Sequence, residues 1–256
     1  MTRVPGKRGR LPVRERLALK FIHEYVHQPL PAPKYPVDLT GGITDWQMLG
    51  NGPDETCTVA PDGVGDCSFA GRQHYRMAKA IRANENEQWE TADELVTEYL
   101  DYNDGQDIGA NLADLLRFWY AAGKILAFAP VDHKDPAAMD SAMAAFGGLY
   151  VGVNLTDDAD ELFANHMPWN LTRGQRPNPE EGHCIVKVFS DGASADGYIT
   201  WGAFQKATVR WSAACLDEAW VIITSEDVAA SVDLKALVAD IEALGGVAKT
   251  DEQDAA

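Results

Sequence analysis

A chain of 256 residues, 46% of them hydrophobic, with a formal net charge of −17 can build one large domain or two small ones around an ordinary core. The charge is unevenly placed: residues 1–20 hold seven Lys or Arg against one acid, which leaves about −23 on the remainder. That imbalance excludes a broad nucleic-acid face on the body and restricts any polyanion contact to the basic N-terminal arm.

The first residues are basic but lack the apolar run and small-residue cleavage site of an export signal. No stretch has the length and apolarity of a bilayer span. The expectation is a protein with no membrane partner, cytoplasmic in the absence of a visible export signal. Cys57, Cys67, Cys184 and Cys215 are too few for a disulfide scaffold. None stands in a Cys-x-x-Cys or paired Cys/His spacing, so neither zinc nor another cofactor is expected.

In chain order, residues 1–34 read as a basic arm and strap. Residues 1–10 are expected to be disordered, and 11–27 to form a basic amphipathic helix on Leu11, Val13, Leu17, Phe21, Ile22, Tyr25 and Val26. The proline-rich stretch 28–38 must be extended, since Pro fixes φ and lacks a donor. The body, 35–245, opens with a loop through residue 66 anchored by Trp46, Met48 and Leu49. That loop ends at Cys67 and becomes a helix whose Ala70, Gly71, His74, Met77, Ala78 and Ile81 share one small or apolar face. This helix is expected to be central and buried.

Thr91 and Glu94 form a capping box for a helix through about Asn103. The next helix carries Leu112, Leu115, Leu116, Trp119 and Tyr120 and stops at Gly123. Strands then dominate: 124–131, 149–155, 182–190, a hairpin turning through 191–197 into 198–204, and 207–211 and 219–224 around a helical segment with Cys215. A short helix with Met139, Met143 and Phe146 separates the first two strands, and a polar loop spans 156–181. A C-terminal helix at about 226–245 precedes a disordered acidic tail, 246–256. The expected fold class is α+β: a helical half, 35–123, carries Cys67, a β-rich half, 124–224, carries the later histidine, and a cleft lies between them.

A thiol at a helix start lies near unpaired N–H groups and the positive end of the macrodipole, which favour a thiolate and lower its pKa. The candidate base is His183, 116 residues later at the start of a strand. From opposite walls of a cleft the two can form a thiolate–imidazolium pair. His74 shares the buried helix face and reads as a core histidine. Cys184 and Cys215 read as buried filler, and Cys57 as a loop thiol.

Several motifs in this order resemble the papain-like cysteine peptidase superfamily, in particular its divergent phage and bacterial members. Tyr35-Pro-Val-Asp38 is similar to the opening of the mature domain, and Gly65-Asp-Cys67-Ser-Phe-Ala70 stands where that family has its nucleophile. Residues 142–154 are similar to the helix, glycine and strand ahead of the catalytic histidine. Gly182-His183 and Thr200-Trp201-Gly202 are similar to the histidine motif and to the end of Asn-Ser-Trp-Gly. The resemblance spans residues 35–224. It implies a papain-like fold, a peptide or protein substrate, Cys67 as nucleophile, His183 as general base and acid, and Trp201 as the cover of that histidine. It also implies a phage or virion assembly partner as an alternative role.

The chain departs from the family at two positions. The family's histidine-orienting Asn is here Ile199, which leaves Thr200 or Asp191 as substitutes. The family's oxyanion-donating Gln, six residues before the nucleophile, is here Pro61, so Asn51 could serve if residues 52–61 loop out. The implied function is a papain-like peptidase or related thiol amidohydrolase, with the N-terminal arm as a pro-segment over the cleft. The alternatives are an inactive papain-fold binding protein and, from Asp66-Cys67-Ser68, a murein endopeptidase.

Overall fold

The computed structural model describes residues 3–14, 16–83, 89–224 and 232–245. Its helical half comprises α1 (Cys67–Ala83), α2 (Ala92–Tyr102) and α3 (Leu112–Ala121). Thr91 and Glu94 close the capping box at the start of α2, and Asn111 caps α3 by accepting from Ala113 N and Asp114 N. Helix α1 is more central than its apolar face required. It is buried on nearly every side, including Arg72, Gln73 and Lys79, because each charge finds a partner. Arg72 pairs with Glu90 and Glu98, and Lys79 donates to Thr224 Oγ1.

The β-rich half is one antiparallel sheet built from β2 (Ala127–Pro130), β3 (Leu149–Asn154), β4 (Gly182–Ser190), β5 (Ala195–Thr200), β6 (Ala203–Thr208) and β7 (Leu216–Ile223). The order is β2-β7-β3-β4-β5-β6, with the short β1 (Val37–Asp38) on the far end of β4. Helices α4 (Pro136–Phe146), α5 (Ala159–Ala164) and α6 (Val209–Cys215) lie in its connections, and α7 (Leu234–Ala243) follows it. Strand β4 is covered on both faces, which is why its sequence reads as a near-continuous apolar run. Helix α1 packs on β4, β3 and β5, and Gly71 makes the approach possible. A Cβ there would sit 3.1 Å from Cys184 Sγ and 3.2 Å from the Tyr150 ring.

Three expectations need correction. The described residues of 11–27 form no α-helix; among them only Ile22–Glu24 forms a 3₁₀ turn. Leu19, Ile22 and Tyr25 are buried against the body instead, and upstream of them Leu11 spends its N–H on Ala110 O. Residues 3–10 are not disordered but extended and packed across the body, with Arg10 bridged to Ala110. Finally, 207–211 is not a strand: β6 ends at Thr208, whose hydroxyl accepts from Trp211 N and starts α6. The acidic tail, 246–256, lies outside the described residues. Among those described, no helix is long and apolar enough to cross a membrane.

Candidate active site

The site begins where the loop before α1 closes. Val64 N donates to Gly50 O at 2.9 Å, so residues 51–63 form a closed excursion and Asn51 stands at its neck. The Asn51 side chain is buried and its Nδ2 donates to Val64 O at 3.2 Å and to Lys7 O at 3.1 Å. Cys67 follows at the first position of α1 and is 1% exposed. Two backbone N–H groups face its sulphur, that of Cys184 at 3.4 Å and that of Gly9.

The opposite wall is the start of β4 and the turn between β5 and β6. His183 Nε2 lies 2.7 Å from Thr200 Oγ1, and its Nδ1 is buried with no hydrogen-bond partner. Thr200 therefore reaches the ring although Ile199, at the position expected to hold an Asn, is fully buried in the core. Asp191 is engaged elsewhere, accepting from Ala193 N, Ser194 N and Ala195 N in the β4–β5 turn. Trp201 stacks on His183 with ring centroids 4.8 Å apart and planes 29° from parallel. Its own backbone is held at φ 46°, a left-handed conformation that a bulky residue adopts only where its surroundings enforce it. Phe163 and Trp169 supply that enclosure by edge contacts with its ring.

The cleft between the walls is filled by the N-terminal arm. Lys7 N donates to Asn51 O at 2.6 Å, Ala110 N donates to Gly9 O at 2.7 Å, and Leu11 N donates to Ala110 O at 2.9 Å. Glycines face glycines along this path. A Cβ on Gly9 would overlap the Gly65 carbonyl, one on Gly6 would overlap Asn51 O and the Trp201 ring, and one on Gly109 would overlap Gly9 O. Only hydrogen fits at these points, so main chain meets main chain. The arm's cations then reach the acids of both walls. Arg8 lies over the Trp201 ring and pairs with Asp160 at 2.6 Å and Glu181 at 2.7 Å, while Lys7 reaches Asp107 at 3.9 Å.

Burial by the arm overturns the expected low thiol pKa. Desolvation pushes the Cys67 thiol up to about 12, and it outweighs the two N–H donors and the nearby Arg10. Burial likewise holds His183 well below the ordinary imidazole range, with Arg8 and Arg10 adding repulsion. Both groups are thus neutral while the arm is in place. His74 is a core histidine as its helix face implied. Its Nε2 lies 2.9 Å from Trp46 O and 3.0 Å from Gln47 O, so that nitrogen carries the proton, and burial lowers its pKa to about 4. Cys57, Cys184 and Cys215 are buried and, like Cys67, unbridged.

No protein-family model matches the chain, and no curated protein is significantly similar to it. Among solved structures, xylellain, a cysteine protease from Xylella fastidiosa, superposes with a TM-score of 0.58 over 88% of this chain and 98% of its own, at 13% identity. The fold is papain-like. At that identity the likeness concerns the architecture alone, a helical half packed on an antiparallel sheet. Thr200 and Trp201 both contact the His183 ring, the N–H of the adjoining Cys184 meets Cys67 Sγ, and Asn51 contacts the arm at Lys7. Sequence reasoning missed Asp66, Arg8, Gly9, Arg10 and the acids that meet the arm. The spacing Gly6-Lys-Arg-Gly9-Arg10 within a basic segment was the available signal for the arm's path. Among the described residues, no group of three or more His, Cys, Asp or Glu is placed to hold a metal.

Proposed function

We propose that the chain is a papain-like cysteine peptidase, or a related thiol amidohydrolase, held latent by its own N-terminal arm. Cys67 is the nucleophile, His183 the general base and acid, Thr200 the positioning residue for the imidazole, Asn51 the side-chain oxyanion donor, and Trp201 the cover of the ring. The observation that carries this reading is the state of His183. Its Nε2 is held by Thr200, its Nδ1 is unpaired, and the next residue's N–H meets the Cys67 sulphur. Asn51 adds support, since its Nδ2 already donates to a peptide carbonyl, that of Lys7.

With the arm displaced, water and substrate replace it and the thiol proton passes to Nδ1. The thiolate attacks the scissile carbonyl carbon, and the oxygen takes the negative charge facing Asn51. Collapse breaks the C–N bond while Nδ1–H protonates the departing amine. Water, deprotonated by the same nitrogen, then releases the acid and restores the thiol.

The test is the pH dependence of alkylation mapped to Cys67 in the full-length chain carrying Gly9→Leu, which cannot reseat the arm against Gly65. Fast modification well below an ordinary thiol pKa of about 8.5, abolished by adding His183→Ala, supports the peptidase. An ordinary thiol in both chains leaves a papain-fold binding protein.

A further inference from the structure

Arg10 is the most completely buried charge on the arm, and the place that holds it is built rather than incidental. Its guanidinium side chain has no exposed surface. Nη2 lies 2.9 Å from Asn154 Oδ1 and 2.7 Å from Asp217 Oδ2, and Nη1 lies 3.0 Å from Asp217 Oδ2 and 3.2 Å from Glu218 Oε1. The walls are cut to admit it. A Cβ on Gly152 would come within 2.7 Å of Arg10 Cδ and 2.8 Å of Glu218 Cγ, and a Cβ on Gly182 would overlap Arg10 O. Gly182 immediately precedes His183, so the pocket adjoins the reactive centre.

Glu218 depends on the guest for its ion pair. It is 7% exposed, and its remaining partner is Trp220 Nε1, 2.8 Å from Oε2. If the arm leaves, Asp217 and Glu218 lose the guanidinium that bridges them, and burial, which already raises the Glu218 carboxyl pKa, is no longer opposed by Arg10. Along the rest of the cleft the more exposed Asp107, Asp160 and Glu181 each meet a cation of the arm. The best replacement for the arm therefore carries positive charge and, at the Arg10 position, a planar fork of donors, the geometry of guanidinium.

We infer that the pocket of Asn154, Asp217 and Glu218 is a guanidinium subsite, and that the Cys67 centre acts on basic polypeptides whose arginine takes the place of Arg10. This rests on the peptidase reading for its chemistry, but the pocket's binding can be measured apart from it. Arg8 and Arg10 flank Gly9, the first over Trp201 and the second in the pocket, so the subsite is adjacent to the reactive position on the side away from Trp201.

The experiment uses full-length Gly9→Leu and a set of internally quenched peptides that differ at one residue, carrying Arg, citrulline or Leu, scanned along the sequence. Citrulline keeps the shape of arginine and removes the charge. At one position Arg should exceed citrulline in kcat/KM by about tenfold or more, and Glu218→Gln should abolish the difference. Cleavage that does not discriminate between Arg, citrulline and Leu overturns the subsite and leaves the peptidase standing. Binding is read separately by calorimetry on Gly9→Leu with Cys67→Ala. Arg-selective binding without cleavage by the Cys67 form keeps the subsite and removes the peptidase. Should Gly9→Leu not fold, Arg10→Ala serves instead, since it vacates the pocket. N-acetyl-arginine amide, but not the citrulline amide, should then raise its Tm toward that of the unsubstituted chain; equal effects of the two overturn the inference.

Discussion

Thr200 Oγ1 lies 2.7 Å from His183 Nε2, on the opposite edge of the ring from the unpaired Nδ1. A hydroxyl, one of the two substitutes named from the sequence, thus stands beside the imidazole. As an acceptor it can hold the ring through both halves of the reaction, because Nε2 keeps its proton while Nδ1 gains and loses one. Thr200→Val removes the acceptor at constant shape. The loss of a hydrogen bond to a charged group is worth about 1.5–3 kcal/mol, so kcat/KM of the arm-released chain should fall about ten- to a hundredfold. Thr200→Ser should retain most activity, and the pH profile should move in the Val variant only.

The arm controls the thiol through water. With Cys67 pushed up to about 12 by burial, the unsubstituted chain should be alkylated at Cys67 only slowly at pH 7, and Gly9→Leu should raise that rate by about a hundredfold or more as the thiolate forms. Mass spectrometry of the labelled peptide checks it. Equal rates in the two chains would show that the arm does not seal the sulphur.

Salt should loosen the same contact in part. Lys7 and its partner Asp107 are substantially exposed, and Asp160 and Glu181 are more open than the Arg8 they hold, so these pairs are screened. Arg10 is enclosed and is screened little. Cys67 labelling in the unsubstituted chain should therefore accelerate between low and high ionic strength, and Arg8→Glu should accelerate it already at low salt. Arg10→Lys should weaken the arm at both, since an ammonium cannot reproduce the forked contacts.

Asp66, immediately before Cys67, is fully buried, and the weak donors near its carboxyl, Asn51 among them, do not offset the loss of water. Burial raises its pKa well above the carboxylate range. The native state then holds a proton that the unfolded chain releases at about 3.9, so stability falls as pH rises above that value until the folded group itself ionises. Within that window the loss approaches about 1.4 kcal/mol per pH unit. Asp66→Asn carries no titrating proton. Its denaturation midpoint should match the unsubstituted chain near pH 4 and exceed it at pH 7.

Most of the fold was legible because its signals are local. The Thr91–Glu94 capping box, the Asp135-Pro136 helix start and the apolar run of β4 each announce their element within a few residues. The placement of Cys67 at a helix start and of His183 at a strand start was legible for the same reason. The errors came where a segment's partners are distant. Leu11 and its neighbours show a helical spacing, yet residues 9 and 11 bond to Ala110, a contact that no window of local sequence contains. The acids of the Arg10 pocket were silent for the same reason, since Asn154, Asp217 and Glu218 meet only through the β3–β7 pairing.

The arm is joined to the body through Leu19, Ile22 and Tyr25, which are buried, so a short tether returns it to the cleft after every excursion. An intramolecular competitor of that kind acts at an effective concentration in the millimolar range. A free peptide present at micromolar levels, binding no more tightly than the arm, then meets an occupied site almost all the time. On the peptidase reading, turnover would then depend less on how much substrate is present than on whether something captures or severs the tethered segment, and the chain would answer to that event as a switch rather than to substrate as a dial.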